Sequence, residues 1–342
     1  MKALKNWFSR RGALPLTAYL LALAVWLVLG AAHFGSDAAA RAQGRLAEET
    51  MAVTDWQLVG LVQGADGTRS PAKEAGVQEG DVLCRAGETA LHSNDDLQKQ
   101  VALSAGQPIK LTLERGDAEK SVTVTPCRDK TGAYRIGVLA RDSLAGIGTL
   151  TYVDPQTGAF GSLGHGICDS ETGVLLPLQE GTIIHSTVSS VQRGKAGEPG
   201  SLQGEFSTEK SLGTVAQNTE SGIFGTMTDD SLYSELQCVP VASADEIKVG
   251  DAEILSNVDG DSVQRYSVQI VKLYPANDEY GRSMMLRVTD SQLAEKTGGI
   301  VQGMSGSPIL QNGKLIGAVT HVLVDNPMEG YGISMEKMLA AS

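Results

Sequence analysis

The apolar positions of the chain follow three patterns in succession. An uncharged and mostly apolar stretch runs from Gly12 to Ser36. Residues 55–127 combine helical spacing with alternating runs, and residues 134–342 consist of short alternating runs separated by Gly, Asp and Ser. Alternation is typical of half-buried strands, and a spacing of three to four residues is typical of amphipathic helices. The sequence therefore predicts a membrane anchor, a small α+β domain and a mainly β domain.

The first segment, residues 1–35, has the features of a transmembrane anchor. Its apolar run is long enough to cross a bilayer, which takes about 20 residues. Basic residues precede this run: Lys2, Lys5, Arg10 and Arg11. Their position predicts a cytoplasmic N-terminus and an exported body. The alternative is a cleaved signal peptide, since Ala38 to Ala40 offer small residues for cleavage. Residues 36–54, rich in Ala and in charge, are predicted to be a linker.

The second segment, residues 55–127, predicts two capped helices and several strands. Ser70 is placed to cap a short helix that begins at Pro71, because Ser is favoured at the N-cap and Pro at the first helical position. Ser93 or Asn94 is placed to cap a second helix, 95–103. The predicted strands are 82–85, 109–115 and 120–126.

The core of this second segment, A-x-x-A-G-V-x-x-G-D-V from Ala72 to Val82, resembles a bacterial PDZ domain of the kind attached to exported proteases. The resemblance implies a groove for an extended peptide, bound in cis or in trans, between Leu58–Gln63 and the helix 95–103. The alternative is a domain that only packs against the rest of the protein and binds no peptide.

The third segment, residues 134–342, is predicted to be almost entirely β. Many short strands with few helical periods favour a barrel or a sandwich, and the length suits two small barrels packed together. Only residues 334–341 have a helical pattern. The predicted strands are 134–139, 148–153, 160–167, 181–191, 253–258, 266–274, 284–289 and 315–324.

Composition supports this picture and excludes some partners. Of the residues, 42% are hydrophobic and 20% are charged, which suits a chain that buries a core. Glycines are frequent (40) and aromatic residues rare (5%), as expected for a turn-rich β architecture. The net charge of −12 argues against a nucleic-acid partner.

Cysteine and histidine spacing gives no sign of a metal site, and no glycine-rich loop precedes a helix as a phosphate cradle requires. The sequence therefore predicts neither a metal nor a cofactor. The four cysteines, Cys84, Cys127, Cys168 and Cys238, are widely spaced. A Cys84–Cys127 disulfide and four buried free thiols remain as alternatives.

The strongest candidate for chemistry is Ser305, which lies between glycines in the stretch from Gly298 to Val322. Asn312-Gly313 between two β-rich runs predicts a hairpin directly after it. Glycine neighbours allow backbone N–H groups to approach a developing oxyanion. The alternative is a Gly/Ser turn without chemistry.

Of the five histidines, His165 is the best candidate for a general base. Gly164 and Gly166 frame it and leave its ring room to face a cleft, and histidine titrates near neutrality. The other four histidines are less suited. His33 lies at the membrane boundary and His92 in the PDZ-like segment, whereas His185 lies in an apolar run and His321 could line the same cleft.

The serine loop Gly303-Met-Ser-Gly-Ser-Pro308 resembles the Gly-Asp-Ser-Gly-Gly-Pro loop of chymotrypsin-like serine proteases, with departures at Met304 and Ser307. The order of anchor, PDZ-like segment, the stretch 134–169 and the stretch 297–333 resembles the SpoIVB peptidase family. That resemblance implies a membrane-associated serine endopeptidase with a chymotrypsin-like two-barrel fold, which acts outside the cytoplasmic membrane of endospore formers.

The resemblance also implies roles for individual residues. Ser305 is the expected nucleophile, His165 the base and Asp290 the acid, in the chain order of chymotrypsin. The backbone N–H groups of Gly303 and Ser305 are the expected oxyanion hole. Without the resemblance, three other aspartates are equally candidates for the acid: Asp169, Asp251 and Asp259.

A Cys168 nucleophile with His165 is a rival mechanism, with poor geometry for two residues three apart in an extended strand. The family implies a substrate that is a membrane-bound regulator of an intramembrane metalloprotease, whose cleavage releases a late mother-cell sigma factor, and it implies self-processing. Two alternatives stay open, a non-catalytic PDZ scaffold and an exported quality-control protease of broad specificity.

Overall fold

The fold is that of a computed structural model, which describes residues 48–342 except 55–56, 61–69, 117, 142–143, 169–172, 174, 177, 179, 235–237 and 261. The predicted anchor, residues 1–35, and the first part of the predicted linker lie outside the described residues. Within the described ranges, no helix is long and apolar enough to cross a membrane.

The described chain is mainly β, with two closed six-stranded barrels, a six-stranded sheet and a two-stranded ribbon. In chain order the strands are β1 (Glu48–Thr54), β2 (Gln57–Gly60), β3 (Val82–Ala86), β4 (Thr89–Ala90), β5 (Ile109–Arg115), β6 (Ala118–Val124), β7 (Cys127–Arg128), β8 (Tyr134–Arg135), β9 (Leu139–Arg141), β10 (Leu144–Val153), β11 (Ala159–Ser162), β12 (Glu180–Gln192), β13 (Ser201–Thr219), β14 (Gly222–Met227), β15 (Gly250–Asn257), β16 (Val263–Leu273), β17 (Met284–Val288), β18 (Pro308–Gln311), β19 (Lys314–Val322) and β20 (Glu329–Ser334). The helices are α1 (Pro71–Glu74), α2 (Asn94–Leu103), α3 (Ser291–Thr297) and α4 (Met335–Ala341), and 3₁₀ turns lie at Asp230–Leu232 and Ala244–Glu246.

The PDZ-like segment folds as a sheet in the order β6-β5-β3-β2-β9, with β4 beside β3. The two predicted helix caps are confirmed, because Ser70 Oγ accepts from Lys73 N and Ser93 Oγ accepts from Asp96 N. Alternate residues of β5 point into the core, where Leu111 is fully buried.

This PDZ unit is inserted between two neighbouring strands of the first barrel. Strand β1 pairs with β10, and Val53 lies opposite Leu144. The chain therefore leaves the barrel and returns to it at adjacent points. Residues 48–54, predicted as the end of a linker, form a barrel strand instead, and β9, predicted as part of the third segment, pairs with β2 in the PDZ sheet. Neither pairing is visible in local sequence, because both depend on distant partners.

The first barrel has the strand order β1-β10-β11-β14-β13-β12 and closes where β12 pairs with β1. Closure leaves no edge strand open to other chains. The predicted strand 160–167 ends at Ser162 and is followed by a tight turn. Strands β13 and β14 are absent from the sequence-based prediction, because their many glycines and charged residues obscure the alternation.

The second barrel has the order β15-β16-β17-β20-β19-β18. The predicted hairpin is confirmed: Gln311 pairs with Lys314, and the two turn residues, Asn312 and Gly313, have φ of 51° and 75°. Such left-handed values at both positions define the favoured two-residue hairpin turn. The expectation that only residues 334–341 are helical is wrong, because α3 lies directly before the serine loop.

The two barrels pack through an apolar cluster. Tyr152 and Phe224 of the first barrel meet Leu310, Leu315 and Ile333 of the second, all of them buried. This contact brings the loop that follows β11 opposite the loop that precedes β18.

The four cysteines are thiols in the structure, with no disulfide among them. The disulfide alternative for Cys84 and Cys127 is therefore not realised. The other alternative, four buried thiols, also needs correction, since Cys84 and Cys127 are only half-buried and Cys168 and Cys238 are exposed.

Candidate active site

The serine loop of the second barrel is held by strand β10 of the first barrel. Thr149 N donates to Ser305 O at 2.8 Å, and Thr149 Oγ1 donates to Gly303 O at 3.1 Å. Thr151 Oγ1 donates to Gly306 O at 2.8 Å. Both threonines are buried, so these bonds form away from competing water. The loop conformation therefore depends on the other barrel.

Two further features fix the loop. Gln302 N donates to Gly200 O at 2.9 Å, and Leu202 N donates to Gln302 O at 2.8 Å, which ties the loop to the start of β13. Gly306 has φ +92°, and a Cβ there would lie 1.9 Å from Thr149 O. Only glycine can occupy this position, because both the backbone angle and the close approach exclude a side chain.

His165 reaches the barrel junction through a strained turn after β11. Leu163 has φ 66° and Gly164 has φ 69°, and a left-handed conformation is uncommon for a residue other than glycine. A Cβ on Gly164 would lie 2.9 Å from Ile333 and 3.0 Å from Thr320 of the second barrel. The glycine thus lets the histidine segment approach the second barrel closely.

The His165 ring is held by its own loop. Its Nδ1 lies 2.9 Å from Gly166 O. Since a carbonyl can only accept, Nδ1 carries the proton in the neutral ring and Nε2 is left as a basic nitrogen. Burial lowers the pKa of His165 below its usual 6.5, and the bond to Gly166 opposes that shift. The ring is therefore a neutral base at physiological pH.

Ser305 and His165 line the same cavity, of about 460 Å³, at the junction of the barrels. Apolar side chains make up much of its wall: Ile147, Leu163, Ile167, Ile223, Ile300, Val301, Val322 and Val324. A cavity with a few polar groups in an apolar wall is the usual form of a small-molecule or side-chain binding site.

The Ser305 hydroxyl donates its single proton to Thr320 O at 2.6 Å. Its reaction with a carbonyl would require that proton to be transferred to a base, and His165, the expected base, lines the same cavity. In the observed arrangement the hydroxyl is bonded to Thr320 O, so it must leave that carbonyl before its proton can pass to His165.

The backbone of the loop offers two free donors. The N–H groups of Met304, Gly306 and Ser307 donate to backbone carbonyls. Among the hydrogen bonds of the described residues, those of Gly303 and Ser305 have no acceptor, and both residues line the cavity. These are the two N–H groups that sequence comparison predicts as an oxyanion hole.

Asp290 is not brought to the other two residues. Its carboxylate caps α3 by accepting from Gln292 N and Leu293 N, and it also accepts from Ser267 N. It is not among the residues that line the cavity of Ser305 and His165. The structure thus gives Asp290 a local structural role as the cap of α3, and its role as the acid, which the family resemblance implies, stays a prediction.

The other candidate acids are also elsewhere. Asp259 forms an ion pair with Lys296 at 2.6 Å, Asp251 lies at a separate surface depression, and Asp169 is outside the described residues. His185 lies on β12, half-buried, opposite Glu49 of β1.

His321 is the functional candidate that sequence reasoning undervalued. It lines the cavity, and its ring centroid lies 4.6 Å from that of His165 with the planes tilted by 35°. Burial and the neighbouring His165 lower the pKa of His321 to about 4. The available signal was its position near the end of β19, the second strand of the hairpin that follows the serine loop.

Cys168 also lines the cavity, but its environment does not favour a thiolate. Burial and the nearby Glu220 raise the pKa of its thiol, whereas nucleophilic cysteines have lowered pKa values. Within the described part of the chain, no group of three or more His, Cys, Asp or Glu residues could hold a metal ion.

Comparison with known proteins agrees with the two-part architecture. The SpoIVB peptidase S55 family matches residues 132–339, and the PDZ domain family matches residues 67–125. A Clostridium perfringens protein named as a zinc metalloprotease is 33% identical over 69 residues, which are 20% of this chain and 21% of that protein. A Treponema pallidum protein named likewise is 37% identical over 70 residues, 20% of this chain and 16% of that protein. The chain spans about a fifth or less of these curated relatives.

Two solved structures are similar to parts of the chain. The PDZ domain of an SdrC-like protein from Listeria monocytogenes is 19% identical with a TM-score of 0.22, covering 26% of this chain and 90% of that one. The Rv3671c protease from M. tuberculosis in its active form is 15% identical with a TM-score of 0.33, covering 59% of this chain and 73% of that one. Since the family match extends over more than half of its length, the chain belongs to the SpoIVB peptidase family S55, a family of serine endopeptidases that here carries a PDZ domain.

Proposed function

We propose that this protein cleaves peptide bonds with Ser305 as nucleophile and His165 as general base. The observation that carries the proposal is that these two residues, contributed by different barrels, line one cavity. Family membership supports the reaction class. The tautomer of His165, with Nδ1 bonded to Gly166 O, leaves Nε2 to accept the serine proton.

The reaction follows from these positions. Ser305 Oγ attacks the carbonyl carbon of the scissile peptide while its proton passes to His165 Nε2. The N–H groups of Gly303 and Ser305 donate to the oxyanion of the tetrahedral intermediate. His165 then protonates the leaving amine as the C–N bond breaks. Water attacks the acyl carbon and gives a proton to His165; the bond between that carbon and Ser305 Oγ then breaks, and His165 returns the proton to Oγ as the carboxylic acid is released.

Labelling with a fluorophosphonate tests this assignment without knowledge of the substrate. The full chain in detergent is expected to react at Ser305, with loss of fluoride and formation of a phosphonyl ester. Ser305→Ala is expected to lower labelling and peptide cleavage by roughly 10⁵-fold or more. Ser307→Ala, in the same loop but with its hydroxyl directed to Ser256, is the matched control. Cleavage that persists in Ser305→Ala would sink the mechanism.

The proposal also covers the role of the protein in the cell. The protein is a membrane-anchored endopeptidase with its body exported, acting during endospore formation on a regulator of an intramembrane metalloprotease. Family membership supports the sporulation role, and the basic residues before the apolar run 12–36 support the topology. The PDZ domain supports a protein or peptide substrate, delivered as an added strand.

Co-incubation in membranes tests this role. Wild-type protein, but not Ser305→Ala, is expected to cleave the regulator at one or few sites and leave unfolded casein intact. Rapid casein cleavage would favour the quality-control alternative. Binding of the regulator without cleavage by either protein would favour the scaffold.

A further inference from the structure

The second histidine at the barrel junction packs against His165 and directly follows the residue that binds Ser305. His321 directly follows Thr320, whose carbonyl accepts the Ser305 hydroxyl at 2.6 Å. Its ring centroid is 4.6 Å from that of His165. Both rings line the cavity of Ser305 and also a second cavity of about 430 Å³. The histidines therefore stand side by side in the wall that the two cavities share.

The His165 ring needs a second restraint. Among the hydrogen bonds of the described residues, its ring nitrogen Nδ1 has one partner, the carbonyl of the next residue, Gly166. A single bond to a neighbouring backbone atom fixes the tautomer but leaves the ring free to turn about that bond. The face of His321, tilted by only 35° to that of His165, restricts this rotation by contact.

We propose that His321 is a positioning residue for His165: its ring holds the imidazole of His165 in the orientation that takes the proton of Ser305. The inference rests on the proposed function. It assigns to an imidazole the orienting part that a carboxylate has in chymotrypsin-like sites, and Asp290 stays the cap of α3.

His321 is neutral although charged groups line the second cavity. The second cavity is lined by charged groups, namely Glu220, Asp278, Glu279, Arg282 and Lys337. Asp278 and Arg282 bond to each other at 3.0 Å. Because the pKa of His321 is lowered to about 4, it is uncharged when His165 takes up a proton during catalysis. A charged neighbour would oppose that step.

Removal of the His321 ring should have two separate effects. The imidazole of His165 loses its contact and turns, which slows proton transfer. Water also reaches His165, so the burial that lowers its pKa weakens and the pKa rises toward 6.5. Since the neutral ring is the base, the acid side of the rate profile should then move to higher pH.

The experiment measures phosphonylation of the full chain in detergent between about pH 4 and about pH 9, which brackets histidine titration. His321→Ala is expected to lower the limiting rate kinact about tenfold to hundredfold, leave KI nearly unchanged and raise the pH of half-maximal rate. His321→Phe, which keeps a ring at the contact, is expected to retain most of kinact. His92→Ala, an exposed histidine of the PDZ domain, is the control for the substitution itself. If thermal melting shows that His321→Ala does not fold, His321→Gln replaces it with the same expected result.

Two results would overturn the inference. In one, His321→Ala matches His92→Ala in kinact and in its pH profile. In the other, His321→Ala changes KI alone, which would make His321 part of the cavity wall and nothing more. Failure of the proposed function has a different signature, since wild-type protein would then not be labelled at Ser305.

Discussion

The two ends of the segment from Asp290 to Ser305 are held in opposite ways. The Asp290 carboxylate accepts from N–H groups at the start of α3 and from Ser267, all within the second barrel. The loop at Ser305 is bound across the junction by Thr149 and Thr151 of the first barrel. The position of Asp290 shortly before Ser305 in the sequence therefore does not by itself show that the two residues act together. Only the Ser305 end is bonded to the other barrel, so whether Asp290 also acts in the site has to be tested separately.

Gly306→Ala should disrupt the contact between the serine loop and the first barrel most strongly. Its Cβ would lie 1.9 Å from Thr149 O, in a backbone with φ +92°, so the loop must leave strand β10. We expect a loss of about 2–4 kcal/mol in the free energy of unfolding. Labelling of Ser305 should fall by at least about a hundredfold, because the nucleophile moves relative to His165. Urea unfolding and the fluorophosphonate rate measure the two effects.

Gly313→Ala is the matched control for Gly306→Ala. Gly313 has φ +75°, but a Cβ there would meet nothing within 4 Å. It therefore carries the backbone strain without the clash, at about 1–3 kcal/mol. Equal loss of labelling in the two variants would show that the contact with β10 is unimportant for the site.

Thr151→Val tests the same contact between the barrels, with a smaller expected effect. It keeps the side-chain shape of a buried residue but removes the hydroxyl that donates to Gly306 O at 2.8 Å. Leaving a buried carbonyl without its donor should destabilise the protein by about 1–3 kcal/mol. Thr226→Val, exposed on β14 of the same barrel, should change stability by less than about 0.5 kcal/mol. An unchanged melting temperature in Thr151→Val would contradict the inference that Thr151 holds the serine loop.

Local chemistry in the sequence predicts the parts of the site that depend on neighbouring residues. Asn312-Gly313 predicts the hairpin and its left-handed turn, and Ser70 predicts the first helix of the PDZ unit. The glycines around Ser305 and His165 predict loops with unusual backbones, and the structure has Gly164 and Gly303 at φ 69° and 99°.

Contacts between distant segments cannot be predicted from the local pattern of apolar and polar residues. Strand β1 reads as an Ala-rich, charged linker and becomes a barrel strand only because β10 and β12 pair with it. The contact of His321 with His165 likewise needs both barrels in place. Helix α3 is a different case, since its signals were present: Asp290 is an N-cap residue and Gly298 a left-handed C-cap. Reading them would have assigned Asp290 to the helix.

Substitutions of Asp290 should change stability least, and they test directly whether this residue is a helix cap or the acid of the site. Asn caps a helix about as well as Asp, and Ala does not. If Asp290 serves only as the cap of α3, Asp290→Ala should destabilise the protein by about 1 kcal/mol, and Asp290→Asn by a few tenths at most, through loss of charge at the helix N-terminus. Labelling of Ser305 should stay near the wild-type rate in Asp290→Asn. If Asp290 instead orients His165, the asparagine variant should keep its stability and lose roughly 10⁴-fold in rate, as expected when a triad carboxylate becomes an amide. The two roles therefore predict the same stability but different labelling rates for Asp290→Asn, so that labelling kinetics separate them, while chemical denaturation of Asp290→Ala checks the helix cap.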